Sequence, residues 1–461
     1  MKSTGSLFWL LTTTLLFGNL QALAAISGAK EGLRRCNPPD LTISPAKINH
    51  DLFNTWLYEM KTGMPSVGSD STRADSRSLR TRGAVEGLLR RNPPRLTFNP
   101  SEITPETFPA WQTEMKSAMK RLMRHPQAQA AAPSPVKRVK RPGYTLEKWE
   151  SYPLDSTVVP FLVLIPDGVD ASRPAPAALC IPGFGQPKEL LAGERLGNFS
   201  LDGPADTTAG VNAMALHYVR HGLVAVAVDN PSCGELSDDG RFDYLETSRF
   251  LLECGWSYLG LSSWQDRVIL DWMKTVPMVD KSRIIVSGFS LGTETLMALG
   301  LLDDSIFAFV YNDFLCRTRE RALVMNRPDA SGVRAFPNSI EHLIPGFLLE
   351  FDFPDIVAAL APRPVICTEG GMDRDFEIVA LAFAAAGAPD NFTRHHYPAF
   401  ADPAARVPLH AMPEGIDRAT FFRLANVDPP SHYFKSALIL PWLDRILPAP
   451  PAEPRKTAEN K

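Results

Sequence analysis

Residues Gly288-Phe289-Ser290-Leu291-Gly292 are the stretch of this 461-residue sequence whose spacing points most directly to covalent chemistry. An apolar strand, Arg283–Val286, leads in and a helix, Leu291–Leu302, leads out. The pentapeptide G-x-S-x-G therefore sits at a strand-to-helix corner. A turn so tight holds the serine in a strained backbone conformation. Side chains two residues to either side would collide, so glycine occupies both places. The corner lifts the Ser290 hydroxyl above the end of a sheet, at a helix N-terminus where the free N–H of Leu291 can meet an oxyanion. Ser290 is the candidate nucleophile.

A serine hydroxyl attacks efficiently only when a base takes its proton and a carboxylate orients that base. With such a corner the partners follow in the order serine, acid, histidine. After the strand Arg363–Cys367 the chain reads Thr368-Glu369-Gly370-Gly371-Met372-Asp373-Arg374-Asp375. Asp373 is the expected acid, with Asp375 and Glu369 as alternatives. The candidate bases are His395, His396, His410 and His432. His395 and His396 fall within a strand pattern and are expected to pack. His432 lies just before the closing helix Phe434–Leu447 and is the expected base, with His410 as the alternative. A second oxyanion donor should follow the strand Ala177–Ile181, from the backbone of Phe184 or Gly185. There the Gly183/Gly185 pair lets the main chain approach a substrate. No metal is expected, because no ligand spacing for one is present.

The elements that must position these groups read as short apolar strands alternating with helices. Val158–Ile165, Ala177–Ile181, Leu223–Val228, Arg283–Val286, Phe307–Tyr311, Arg363–Cys367 and Phe392–Tyr397 are the strands. Gly210–Arg220, Trp264–Val276, Leu291–Leu302 and Phe434–Leu447 are the helices. That alternation predicts an α/β fold with a mostly parallel central sheet covered on both faces. Between Phe307–Tyr311 and Arg363–Cys367 a long insert carries Arg317, Arg319, Arg321 and Arg327. Two readings stand: a lid whose arginines meet an acidic substrate, or a solvated helix face.

Apolar residues make up 44% of the chain and charged residues 21%, and the net charge is −3. A dedicated nucleic-acid binder would carry a basic footprint, so none is expected. Lys2, the apolar run Leu7–Phe17 and the small residues around Ala22-Leu23-Ala24 read as a signal peptide over residues 1–24. Cleavage near Ala24 would place the protein in the periplasm or outside the cell. The run is too short for a membrane span, and no later segment reads as one. Cys180 and Cys367 lie in apolar strands and read as buried thiols. Among Cys36, Cys233, Cys254 and Cys316 a bridge is open, with no deducible connectivity.

An internal duplication precedes the main domain. Residues 31–64 and 86–119 align without gaps, and about half the positions are identical. Each copy reads as an N-P-P-x-L-T segment and a short helix with an apolar stripe, Phe53/Trp56/Met60 or Phe108/Trp111/Met115. The stripe is expected to pack on the main domain, and a binding module is the alternative. The boundaries expected are a first repeat over 25–65, a linker over 66–85, and a second repeat with linker over 86–143. The main domain spans 144–447 and a disordered tail 448–461. Lys137–Arg141 (KRVKR) reads as a solvated linker.

From about Trp111 to Leu447 the chain resembles bacterial α/β-hydrolases of the acetyl xylan esterase and dienelactone hydrolase type. The resemblance rests on PGFG at 182–185, DNPSCGE at 229–235 and the GFSLG corner. EFDFPDIVAALAPRPVICTEGGMDRD at 350–375 and SHYFKSALILPWL at 431–443 also match. It implies an α/β-hydrolase fold and hydrolysis of small-molecule or carbohydrate esters through an acyl-enzyme, with no cofactor. Where such proteins show S-x-G-G and HG-x-G, Thr293 and Pro182 stand here, and the histidine loop carries an insertion, Phe400–Pro430. These departures bear on substrate class more than on fold. A secreted serine carboxylesterase is the leading expectation, with deacetylation of polysaccharide as one form of it. A glucuronoyl-type esterase or a serine peptidase of the same fold is the enzymatic alternative. A non-catalytic exported binding protein is the other.

Overall fold

A computed structural model describes residues 81–126, 131–206, 210–238, 240–332 and 338–447, together with Arg77. The expected signal peptide, first repeat and tail, and most of the 66–85 linker, lie outside the described residues.

In chain order the elements are α1 (Thr81–Arg91), α2 (Phe108–Met123), β1 (Ala131–Arg141), β2 (Tyr144–Tyr152), β3 (Val159–Pro166), β4 (Ala175–Ile181), α3 (Lys188–Ala192), α4 (Met214–Arg220) and β5 (Val224–Ala227). They continue with α5 (Tyr244–Glu253), α6 (Tyr258–Met273), β6 (Val279–Phe289), α7 (Gly292–Leu302), β7 (Ala308–Asn312), α8 (Thr318–Val324), α9 (Phe347–Glu350) and α10 (Phe353–Ala358). Last come β8 (Val365–Cys367), α11 (Asp373–Ala385), β9 (Phe392–Arg394), α12 (Arg418–Leu424) and α13 (Ser436–Ile446).

One nine-stranded sheet runs in the order β1-β2-β3-β5-β4-β6-β7-β8-β9. The first three pairings are antiparallel and the remaining five parallel. Consecutive side chains on a strand point to opposite faces, and each face of this sheet has its own core. Phe161, Val163, Leu179, Val226, Val286, Phe309 and Val365 enter one. Leu162, Leu164, Cys180, Ala225, Ile285, Val310 and Ile366 enter the other. That is why these strands read as unbroken apolar runs rather than alternating ones.

Several expectations from the sequence change here: residues 81–85 of the expected linker belong to α1, the helix expected over Gly210–Arg220 starts at Met214, and the strand expected over Phe392–Tyr397 ends at Arg394. Lys137–Arg141 is not a linker but the outer half of β1, paired antiparallel with β2. Its charges are partnered: Arg141 with the buried Glu194 at 2.7 Å, Arg138 with Glu147 at 3.5 Å, Lys137 with Asp202 and Lys140 with Asp167. The sheet thus begins at Ala131 rather than after residue 143. The helix Trp264–Val276 also starts earlier, at Tyr258, because the Ser257 hydroxyl accepts the Gly260 N–H at 2.9 Å and caps it.

The second repeat copy is built into the main body. Phe108, Trp111 and Met115 of α2 are buried in the same core as the sheet, and the Trp111 indole N–H donates to the Leu96 carbonyl at 3.0 Å. The segment before α2 is tied to the α9–α10 region. The Leu96 N–H donates to Glu350 O at 2.7 Å and the Phe98 N–H to Asp355 Oδ1 at 2.9 Å. Cys180, Cys233, Cys254, Cys316 and Cys367 are all free thiols, and Cys36 lies outside the described residues. No helix among the described residues is long and apolar enough to cross a membrane. Because Met115 is fully buried, Met115→Ala should lower the unfolding free energy by about 2–5 kcal/mol in urea denaturation. A loss below about 0.5 kcal/mol, the range of ordinary surface changes, would show that α2 is not part of the core.

Candidate active site

At the end of β6 the backbone of Ser290 takes φ +51°, a left-handed conformation that a non-glycine residue adopts only at a cost. The crowding expected at the corner is present. A Cβ on Gly288 would come within 2.4 Å of Gly292 O, and one on Gly292 within 2.4 Å of Ile181 O. The Ser290 N–H is held by Asn312 O at 3.0 Å. The Leu291 N–H, at the start of α7, has no acceptor among the described residues. The turn after β4 lies against the corner, since a Cβ on Gly183 would sit 3.2 Å from the Ser290 Cβ. In that turn the N–H groups of Phe184 and Gly185 have no acceptor among the described residues. The buried Asn230 side chain anchors it by donating to Pro182 O at 3.0 Å. Two donor sites thus flank the Ser290 side chain.

His432 lines the same cavity as Ser290, a space of about 530 Å³. Its ring stacks on Phe289 with centroids 4.7 Å apart. Its Nδ1 donates to Glu369 Oε2 at 2.5 Å, which leaves Nε2 as the nitrogen available to a hydroxyl. Ser290 Oγ makes no hydrogen bond among the described residues, as is common for a serine without substrate.

The carboxylate beside His432 is therefore Glu369, not Asp373. Glu369 stands just past the end of β8. The Tyr433 N–H donates to its Oε1 at 3.1 Å, Lys435 Nζ to the same oxygen at 2.7 Å, and the Tyr397 hydroxyl to Oε2 at 3.1 Å. Gly370 and Gly371, both at positive φ, then turn the chain away. Asp373 emerges half-exposed at the start of α11, against His396 Nε2 at 3.3 Å and Arg406 Nε at 3.1 Å. Asp375 is buried on Arg317 at 2.6 Å. Of the other imidazoles, His395 follows β9 with its N–H on Cys367 O, burial pushes the His396 pKa down to about 4, and His410 is exposed.

Sequence reasoning missed a second carboxylate. Asp313 directly follows β7, lines the cavity, and has an oxygen within 4.8 Å of the Glu369 and His432 ligand atoms. Burial pushes its pKa up to about 7 against the charge of His432. Its place directly after the strand Ala308–Asn312 was readable, but its nearness to the corner follows only from the pairing of β7 with β6. Two carboxylates and an imidazole can also hold a cation. Here the Glu369 oxygens already accept four hydrogen bonds, one from the Lys435 ammonium, so the set suits a hydrogen-bonded base better.

The electrostatics agree. Burial raises the Glu369 carboxyl, but the His432 hydrogen bond and charge, with those of Lys435, outweigh it and hold it below its ordinary value. Burial lowers the His432 imidazole, but the Glu369 hydrogen bond and the charges of Asp313 and Glu369 leave it raised. A strained serine, an imidazole oriented by a buried carboxylate and N–H groups without acceptors among the described residues are the chemical parts that acyl transfer requires.

A family model described as an Abhydrolase family matches residues 66–445. The crystal structure of a candidate acetyl xylan esterase from Bacteroides fragilis is 51% identical, with a TM-score of 0.77, over 82% of this chain and 97% of that one. A glucuronoyl esterase from Solibacter usitatus is distant, at 15% identity and a TM-score of 0.42 over 60% and 81% of the two chains. So is an acetyl xylan esterase from Paenibacillus sp. R4, at 16% and 0.40 over 68% and 92%. No curated protein matches the chain.

Glu369→Gln should slow labelling of Ser290 by a fluorophosphonate by roughly 10³-fold or more, whereas Asp373→Asn should stay within about threefold of wild type. The reverse pattern, with Asp373→Asn crippling and Glu369→Gln mild, would return the acid to Asp373.

Proposed function

The chain belongs to the Abhydrolase family of α/β-hydrolases, and on that premise we propose that it is a serine carboxylic-ester hydrolase using Ser290, His432 and Glu369. The observation that carries this reading is the hydrogen bond from His432 Nδ1 to the buried Glu369, with Ser290 in the same cavity. His432 Nε2 takes the Ser290 proton as Oγ attacks the ester carbonyl carbon. The resulting oxyanion accepts from the Leu291 N–H and from Phe184 or Gly185. The alcohol leaves with the proton returned by His432, and water, deprotonated by the same imidazole, releases the acid. Glu369 holds the tautomer and stabilises the imidazolium.

The likeness to the Bacteroides fragilis protein supports carbohydrate acetyl esters as the substrate class. The pattern of residues 1–24 supports action in the periplasm or outside the cell, after cleavage near Ala24.

Ser290→Ala should reduce 4-nitrophenyl acetate turnover by roughly 10⁴-fold or more. A Ser290→Ala protein with near wild-type kcat would end this reading. The pH dependence has a definite sign. His432 must be neutral to act as a base, and its pKa is raised. The acid limb of kcat/KM should therefore fall through a pKa above the ordinary imidazole value of about 6.5. A limb well below that value contradicts the assignment of the base.

A further inference from the structure

Two inserts roof the cavity beside Ser290. The chain between β7 and β8 contributes α8, and the chain between β9 and α13 contributes α12. They share an apolar cluster that includes Cys316, Val324, Met325, Met412, Ile416 and Phe421. The N–H groups of Gly415 and Ile416 both donate to Val324 O at 3.1 Å.

The insert arginines do not share one fate. Arg317 is bound by Asp375 at 2.6 Å. Arg319 donates to Leu348 O at 2.9 Å and Asn92 O at 2.6 Å. Arg327 does not line the cavity. Arg321 alone of these four lines the cavity that holds Ser290 and His432. Its Nε is buried without a hydrogen-bond partner, and its one side-chain hydrogen bond among the described residues runs from Nη2 to Asn338 Oδ1. Neither Arg321 nor Arg418, an exposed cavity-lining residue set over the Phe422 ring at 5.1 Å, has a carboxylate partner among the described residues.

The other charges in the cavity are accounted for. Glu294 is paired with His342 at 2.6 Å. Burial pushes the Asp313 carboxyl up to about 7, which weakens it as a counter-charge. A guanidinium with a buried, unpaired Nε–H is costly unless a ligand completes it. Its planar fork matches a carboxylate better than a neutral hydroxyl.

Resting on the ester-hydrolase reading, we infer that the cavity receives a substrate bearing a carboxylate besides the scissile ester, gripped by Arg321 with Arg418 at the mouth. The carboxylate can come from the acyl side, as in a dicarboxylic half-ester, or from the alcohol side, as in an acetylated acidic sugar.

Two substrate pairs separate these sources: 4-nitrophenyl hemiglutarate against 4-nitrophenyl butyrate, and acetylated glucuronic acid against acetylated glucose. At low salt one pair should favour its anionic member by about tenfold or more in kcat/KM. That ratio should collapse in Arg321→Gln, recover in part in Arg321→Lys, and shrink with added salt. The absence of any anionic preference in both pairs, or a preference untouched by Arg321→Gln, overturns the inference. A readout independent of turnover is the Kd, for the Ser290→Ala protein, of the anion matching the pair that shows the preference: monomethyl glutarate for the acyl side, acetylated glucuronic acid for the alcohol side. It should weaken about tenfold or more when Arg321→Gln is added, and an unchanged or undetectable Kd also overturns it. Hydrolysis of the neutral esters with no anionic preference would defeat this inference while leaving the proposed function standing. Turnover that survives Ser290→Ala would defeat the proposed function alone.

Discussion

A single fully buried carboxylate, Glu369, organises the end of the sheet where Ser290 sits. A charge with no exposure is tolerated only when its lone pairs are filled. Three of its four donors, His432 Nδ1, the Tyr433 N–H and Lys435 Nζ, come from one short segment, and the fourth is the Tyr397 hydroxyl. Satisfying Glu369 therefore forces residues 432–435 to fold over the end of β8, and the imidazole arrives with its tautomer set. Asn312 ties the same segment to the corner. Its carbonyl holds the Ser290 N–H at 3.0 Å, its Oδ1 the Lys435 N–H at 2.8 Å, and its Nδ2 reaches Tyr433 O at 3.2 Å.

These groups come together because β6, β7 and β8 are neighbours in the sheet and run parallel. Their carboxyl ends lie side by side, so Ser290, Asn312-Asp313 and Glu369 emerge on one edge, where open α/β sheets place their ligands. The turn after β4 completes the edge. Shortly after that turn Lys188, at the start of α3, bonds Asp229 at 2.8 Å and contacts Glu189 and Glu235 at 2.9 and 2.6 Å. The sheet supplies rigidity, and the inserts supply the walls. Among the described residues the two inserts share one apolar cluster, which couples the shape of the cavity to the contact between them.

The local chemistry of the chain was legible from the residues. The glycines at 288 and 292, the strand before them and the helix after them follow from short-range sterics, and short-range sterics are written in consecutive residues. The apolar runs of β3 to β8 were readable for the same reason, because a strand covered on both faces has to be apolar throughout. The strand β1 was not, because an edge strand takes its identity from pairing with β2 and keeps charged side chains outward. KRVKR looks like a linker until that partner is present.

Tertiary structure alone decided which carboxylate meets the imidazole. Glu369, Asp373 and Asp375 lie within seven residues, and no local pattern separates them. The choice depends on Gly370 and Gly371 turning the chain, on Leu315 pinning that turn through its N–H to Gly370 O at 2.8 Å, and on donors more than 60 residues away. The same holds for Asp313 and Arg321, which earn their places by what the sheet order and the two inserts set opposite them. Sequence determined the strained serine, because that strain is local. The partners of that serine are long-range contacts, and only the folded chain selects among residues of equal chemistry.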